Sequence, residues 1–162
     1  MKKIMIIGCP GSGKSTLAVA LHKKTGIPVC HLDMLYWNAD KTIVEKSVFL
    51  ERLAKVLGSD AWIMDGNFSS TMDARMAECD TVIFRDYPTD LCLAGVRERR
   101  GKPRPDMPWI ETEEDAGFME FIKGFATQRR PQILALIEKH RGKAVFVFTS
   151  RAQADAFLRE YK

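Results

Sequence analysis

Gly8-Cys9-Pro10-Gly11-Ser12-Gly13-Lys14-Ser15-Thr16 lies between an apolar run, Ile4 to Ile7, and a helix-like stretch, Leu17 to Leu21. The pattern places a strand before a glycine-rich turn and a helix after it. Such a turn converges its backbone N–H groups on one point, and the helix aims its positive N-terminus at the same place. Gly8, Gly11 and Gly13 allow backbone angles and a close approach that side chains would block. Lys14 sets an ammonium against β- and γ-phosphates, Ser15 offers a hydroxyl to Mg²⁺, and Thr16 reaches toward the α-phosphate. Pro10 has no N–H and only shapes the turn. Gly8, Gly11, Ser12, Gly13, Lys14, Ser15 and Thr16 are therefore the expected cradle for ATP, and Lys14 is also a catalytic candidate.

A chain of 162 residues with 46% hydrophobic content is sized for one compact α/β domain with its own core. There is no apolar run of about 18 residues, which argues against a membrane span. Met1-Lys2-Lys3-Ile4 fails as a signal peptide because the apolar stretch is short and runs straight into the glycine-rich turn. The expected location is the cytoplasm. Cys9, Cys30, Cys79 and Cys92 form no C-x-x-C pair, so zinc and disulfide readings are weak. Cys9 reads as a small spacer in the turn, at a position beside a helix N-terminus where a thiol can become acidic and open to reagents, with no redox function implied.

Net charge is +4, and residues 97 to 104 carry as much by themselves: Arg97, Arg99, Arg100, Lys102 and Arg104 stand against Glu98. An acidic stretch follows with Asp106, Glu111, Glu113, Glu114 and Asp115. DNA-binding surfaces spread their basic residues along a face. A short block beside a nucleotide site points to phosphate handling.

Strands are predicted over Lys3–Ile7, Pro28–His31, Ala61–Met64, Thr81–Phe84 and Ala144–Phe148. Helices are predicted over Lys14–Thr25, Glu45–Leu57, Thr71–Glu78, Thr89–Arg100 and Ala152–Tyr161. Asp33 to Asp40 reads as a loop. Gly101, Pro103, Pro105 and Pro108 make an exposed loop after the fourth helix. A long helical region fills about 113–140, with a break near Pro131. Alternating strands and helices predict a parallel sheet covered on both faces. The segment from about 97 to 130 is the expected lid insertion of this single domain.

A metal-bound triphosphate needs an acid at the end of a neighbouring strand. Asp65 follows Trp62-Ile63-Met64 directly, and Gly66 permits close approach; Asp86, after Val82-Ile83-Phe84-Arg85, is the rival. Asp65 with Ser15 is the expected metal pair. Asp33 ends the second strand, where open parallel sheets bind ligands, and is placed to position an acceptor. His31 reads as a half-buried strand residue. Arg97, Arg100 and Arg104 are the catalytic arginine candidates, suited to closing over phosphates. Arg129 and Arg130 are candidates from the far side of the lid, and Arg151, after the last strand, is a candidate for adenine or ribose. No guanine-reading N-K-x-D and no D-x-x-G motif is present.

These residues resemble small P-loop kinases of the adenylate, shikimate and gluconate kinase type. Over the whole chain the resemblance is to bacterial DNA topology-modulation (FlaR-like) proteins. It rests on residues 7–16, His31-Leu32-Asp33, Trp62 to Thr71, Asp80 to Phe84 and Arg104-Pro105-Asp106-Met107. The resemblance implies a P-loop three-layer sandwich, with a five-stranded parallel sheet of adenylate-kinase type and a small arginine-bearing lid. Asn67-Phe68-Ser69 departs from the Phe-Pro-Arg that follows the Asp-Gly pair in adenylate kinases, which removes an arginine expected beside an acceptor nucleotide. His31-Leu32-Asp33 is closer to shikimate-type kinases, which phosphorylate hydroxyls. The function expected is an ATP- and Mg²⁺-dependent phosphotransferase with a small-molecule or nucleotide acceptor. The alternative is a nucleotide-binding regulator of DNA topology or of a protein partner, driven by ATP-dependent conformational change.

Overall fold

Residues 4 to 7 are fully buried, and the strand that contains them, β1 (Lys3–Gly8), lies in the middle of the sheet. A strand covered on both faces needs an unbroken apolar run, and Ile4-Met5-Ile6-Ile7 supplies one. The structure is a computed structural model describing residues 1–161. After β1 come α1 (Lys14–Thr25), β2 (Val29–His31), α2 (Leu32–Tyr36), α3 (Lys46–Leu57) and β3 (Trp62–Asp65). They are followed by α4 (Ser69–Glu78), β4 (Thr81–Arg85), α5 (Thr89–Arg99), α6 (Ala116–Gln128), α7 (Arg130–Lys139), β5 (Ala144–Phe148) and α8 (Arg151–Glu160).

The five strands are all parallel, in the order β2-β3-β1-β4-β5. Their carboxyl ends share one edge. The chain moves to opposite sides of β1 there, and ligands of open α/β sheets bind at such a switch point. The sheet core is one cluster that includes Trp62, Ile63, Met64, Val82, Ile83 and Phe84.

Three local expectations change. Asp33 does not begin a loop: Leu32–Tyr36 forms one helical turn, with Leu32 buried beneath it. Helix α4 begins at Ser69, two residues early, after Phe68 with φ 37°. The long region before β5 is two helices. Pro131 occupies the second position of α7, where its missing N–H leaves no bond unmade, and the break falls at Arg129.

Helix α5 lies directly on the P-loop. A Cβ on Gly95 would come 2.1 Å from the Gly11 carbonyl oxygen, and one on Gly11 would come 2.0 Å from that of Cys92. Glycine in mid-helix costs about 1 kcal/mol relative to alanine. Here it is the residue that lets backbone meet backbone.

Candidate active site

The P-loop follows β1 with positive φ at Gly8, Gly11 and Gly13 (147°, 83° and 79°). Gly13 stands at the N-cap of α1, and no side chain caps that end. The first N–H groups of the helix therefore face an anion site with its dipole behind them. Gly8 sits behind the loop. Its N–H donates to Asn67 Oδ1 (3.2 Å), and the Asn67 amide donates back to the Gly8 carbonyl (2.8 Å). Lys14 Nζ donates to the carbonyls of Gly8 and Cys9 (3.0 and 3.2 Å). Burial holds the Lys14 pKa below the ordinary lysine value, against the opposing charge of Asp65.

A cavity of about 1250 Å³ opens over this loop. Ser12, Arg85 and Arg99 all line it. Among the described residues, Ser12 Oγ and Arg85 Nε are buried polar atoms without a partner, and buried Arg99 Nε has the Glu111 carboxylate at 3.3 Å. Buried donors are normally paired, and leaving one unmade costs about 1–3 kcal/mol. Arg85 is only 7% exposed. A Cβ built on Gly13 would lie 3.4 Å from one of its terminal nitrogens, and its guanidinium also bonds and stacks on Tyr87.

Three carboxylates gather at the same edge. Ser15 Oγ bonds to Asp65 Oδ2, and it lies 2.9 Å from Asp106 Oδ2. Asp65 Oδ1 is 2.6 Å from His31 Nδ1. Burial lowers the affinity of His31 for its proton, but the Asp65 hydrogen bond and charge outweigh burial and hold its pKa above the ordinary value. Burial pushes Asp33 up to about 6, with Lys14 pulling the other way and the charges of Asp106 and Asp65 adding to the rise.

Mg²⁺ takes oxygen ligands and is bound by one or two carboxylates together with substrate phosphates and water. Ser15, Asp65 and Asp106 fit that pattern. Among the described residues no group of three or more His, Cys, Asp or Glu would hold a metal unaided.

The basic block is internally neutralised. Arg97 and Arg100 meet Glu114 (3.6 and 2.5 Å), while Arg99 and Arg104 meet Glu111 (3.3 and 3.5 Å). Arg104 also lies 3.5 Å from Asp106. Arg100 and Arg104 line the cavity; Arg97 does not, and Arg99 lines it instead. Arg151, on the first turn of α8, lines the cavity and reaches Glu98 of α5 (3.4 Å). Thr16 is exposed at the cavity's rim. Asp86 is bound by Arg130 Nε at 2.9 Å and does not line the cavity.

Cys9 is a buried spacer, and the neighbouring helix N-terminus does not make its thiol acidic. The residue is 3% exposed, and its hydrogen bond with Cys92, followed by burial, drives its pKa upward.

Arg75 is fully buried, and among the described residues no carboxylate bonds to it. It donates to the carbonyls of Gly66, Asn67 and Phe68 and to Thr71 Oγ1, fixing the turn that follows Asp65. Beyond that turn, Tyr36, Trp37, Phe68 and Trp109 form an aromatic wall, with Trp37 and Trp109 edge-to-face at 5.0 Å.

No protein-family model matches the chain. The uncharacterized protein YqaC of Bacillus subtilis (strain 168) is 33% identical over 104 residues, which cover 60% of this chain and 56% of YqaC. The chain thus spans about half the length of the curated relative it matches. Among solved structures, shikimate kinase from Bacteroides thetaiotaomicron superposes with a TM-score of 0.62 at 20% identity, over 96% of this chain and 93% of that one. Shikimate kinase from Acinetobacter baumannii, solved in complex with shikimate, gives 0.64 at 17% identity, over 99% and 90%. The chain has the P-loop fold of these kinases.

Proposed function

We propose that this chain is an ATP- and Mg²⁺-dependent phosphotransferase whose acceptor is a hydroxyl-bearing small molecule or nucleotide. The observation that carries the reading is the set of unpartnered donors at the P-loop: Ser12 Oγ, Arg85 Nε and the first N–H groups of the uncapped helix α1. A polyanion supplies all of them with partners.

Phosphoryl transfer needs positioning and charge stabilisation more than covalent help. The P-loop amides and Lys14 hold the β- and γ-phosphates, and Ser15 and Asp65 organise the metal. Bound Mg²⁺ neutralises charge that develops on the phosphate oxygens. Asp33, with a pKa of about 6, is ionised at neutral pH and accepts the acceptor's hydroxyl proton. Arg99, Arg100 and Arg104 leave their carboxylate partners for phosphate oxygens, and Arg151 lies on the base side. The FlaR-like resemblance is compatible with a kinase acting in the cytoplasm on a metabolite that affects DNA indirectly.

The test is phosphate transfer from ATP to a panel of nucleotides, nucleosides and hydroxylated metabolites, with Lys14→Ala alongside. Transfer by the parent and its loss in the variant is the expected result. Slow hydrolysis alone across the panel would remove the assignment.

A further inference from the structure

Ser15 Oγ stands between two carboxylate oxygens, Asp65 Oδ2 from the end of β3 and Asp106 Oδ2 at 2.9 Å from the segment joining α5 to α6. A serine hydroxyl has one proton to donate. That proton satisfies one of the two contacts and leaves the other facing lone pair to lone pair. Asp65 and Asp106 are 3% and 8% exposed, so water does not screen them well. Asp106 pairs with Arg104 at 3.5 Å, which is shared with Glu111, and its charge also acts on Arg99 and His31. One hydroxyl and two carboxylate oxygens are thus held side by side with fewer protons than contacts, and oxygens of this kind are the ligands a hard divalent cation takes.

Asp106 is 91 positions from Ser15 in the chain and is flanked by Pro105 and, two residues on, Pro108. The prolines restrict the backbone on either side. The carboxylate thus reaches the P-loop on a short, stiff excursion of the lid segment, and Trp109, three residues later, packs on Trp37 of the main body.

We infer that Asp106 joins Ser15 and Asp65 in holding the divalent cation, so that loading the site ties the lid segment down over the P-loop. This rests on the reading of the P-loop as a nucleotide–metal site and adds to it a ligand delivered from the lid. Charge on the cation then controls access to the phosphates, because the arginines at 99, 100 and 104 lie on the same segment as the carboxylate.

The experiment uses the full chain, Mn²⁺ as the spectroscopic probe and a non-hydrolysable ATP analogue. Mn²⁺ affinity is read by electron paramagnetic resonance, and lid closure by the rate of tryptic cleavage after Arg100. In the parent, Mn²⁺ with analogue slows this cleavage several-fold relative to EDTA. Asp106→Asn binds Mn²⁺ about tenfold more weakly and loses the cation-dependent protection, while its affinity for the analogue in EDTA stays at the parent's value. Asp60→Asn, at the opposite end of the sheet, behaves as the parent. Asp106→Cys moves the metal preference toward thiophilic Cd²⁺ at least tenfold, which a purely structural aspartate would not do. Parent-like Mn²⁺ affinity and protection in Asp106→Asn, or no Cd²⁺ shift in Asp106→Cys, overturns the inference and leaves the nucleotide reading standing. Absence of any analogue binding by the parent overturns both.

Discussion

His31 and Asp65 face each other across adjacent parallel strands in register, with Nδ1 2.6 Å from Oδ1. The pair turns one Asp65 oxygen toward the histidine and leaves the other for Ser15. Because the folded pKa of His31 is raised, the pair's stabilisation is fully present below the ordinary histidine value and disappears as pH rises through the folded value. His31→Asn should therefore cost about 1–3 kcal/mol near pH 5.5 and much less near pH 9. Denaturant melts at the two pH values measure this, and an equal cost at both would refute it.

Asp33 runs in the opposite functional direction. Burial raises its pKa to about 6, so kcat/KM should climb with pH through that region. Asp33→Asn should lose about 10²–10⁴-fold in transfer rate and flatten the profile. An acid with a raised folded pKa favours folding below its ordinary value and opposes it as pH rises through about 6. Asp33→Asn should accordingly be about 1–2 kcal/mol more stable than the parent at pH 8, and no more stable at pH 3.5.

Gly95→Ala separates packing from helix propensity. Propensity alone predicts a gain of about 1 kcal/mol. The Gly11 carbonyl, 2.1 Å from the added methyl, predicts a net loss of about 1–3 kcal/mol with weakened ATP-analogue binding. Urea titration of the variant decides between them, and a stabilised protein with intact binding would show that α5 does not press on the loop.

Arg75→Met should lower stability by about 3 kcal/mol or more, since it leaves the Gly66, Asn67 and Phe68 carbonyls without their shared donor. Thermal melts of the variant measure it.

Thiol titration should find little reactivity in the native state. Cys9, Cys79 and Cys92 are buried, and burial pushes half-buried Cys30 up to about 11. Rapid modification should require denaturant, and fast loss of Cys9 under native conditions would contradict the structure.

The nucleotide half of this site is written locally. One unbroken stretch, residues 4 to 21, fixes strand, loop and helix, and its glycines and lysine have few other uses. Asp65 is legible because it directly follows the apolar run of its strand, and its rival Asp86 pairs with Arg130 outside the cavity. Asp106 is not legible in this way. In the sequence it is one acid among several, and only the path of the Pro105–Pro108 loop brings it to Ser15. Arg85 reads as a strand flank until the strand order sets it beside Gly13, and Arg75 reads as a polar helix position until its burial is seen. In Arg97, Arg99 and Arg100 helical spacing marks a basic cluster, but the choice of which one faces the cavity depends on how α5 is rotated on the P-loop. Gly95, which looks like a weak point of that helix, sets the rotation.

Helix α5 rests on Gly11 through the Cys92 carbonyl and Gly95, with Val96 Cγ2 beside them, so loop and helix meet at backbone range. The helix ends four residues beyond Gly95, at Arg99, with Arg100 as its C-cap. A change in the position of the Gly11 peptide would meet the α5 backbone directly, four residues before Arg99. Loop position and helix position are therefore tied through these close backbone contacts.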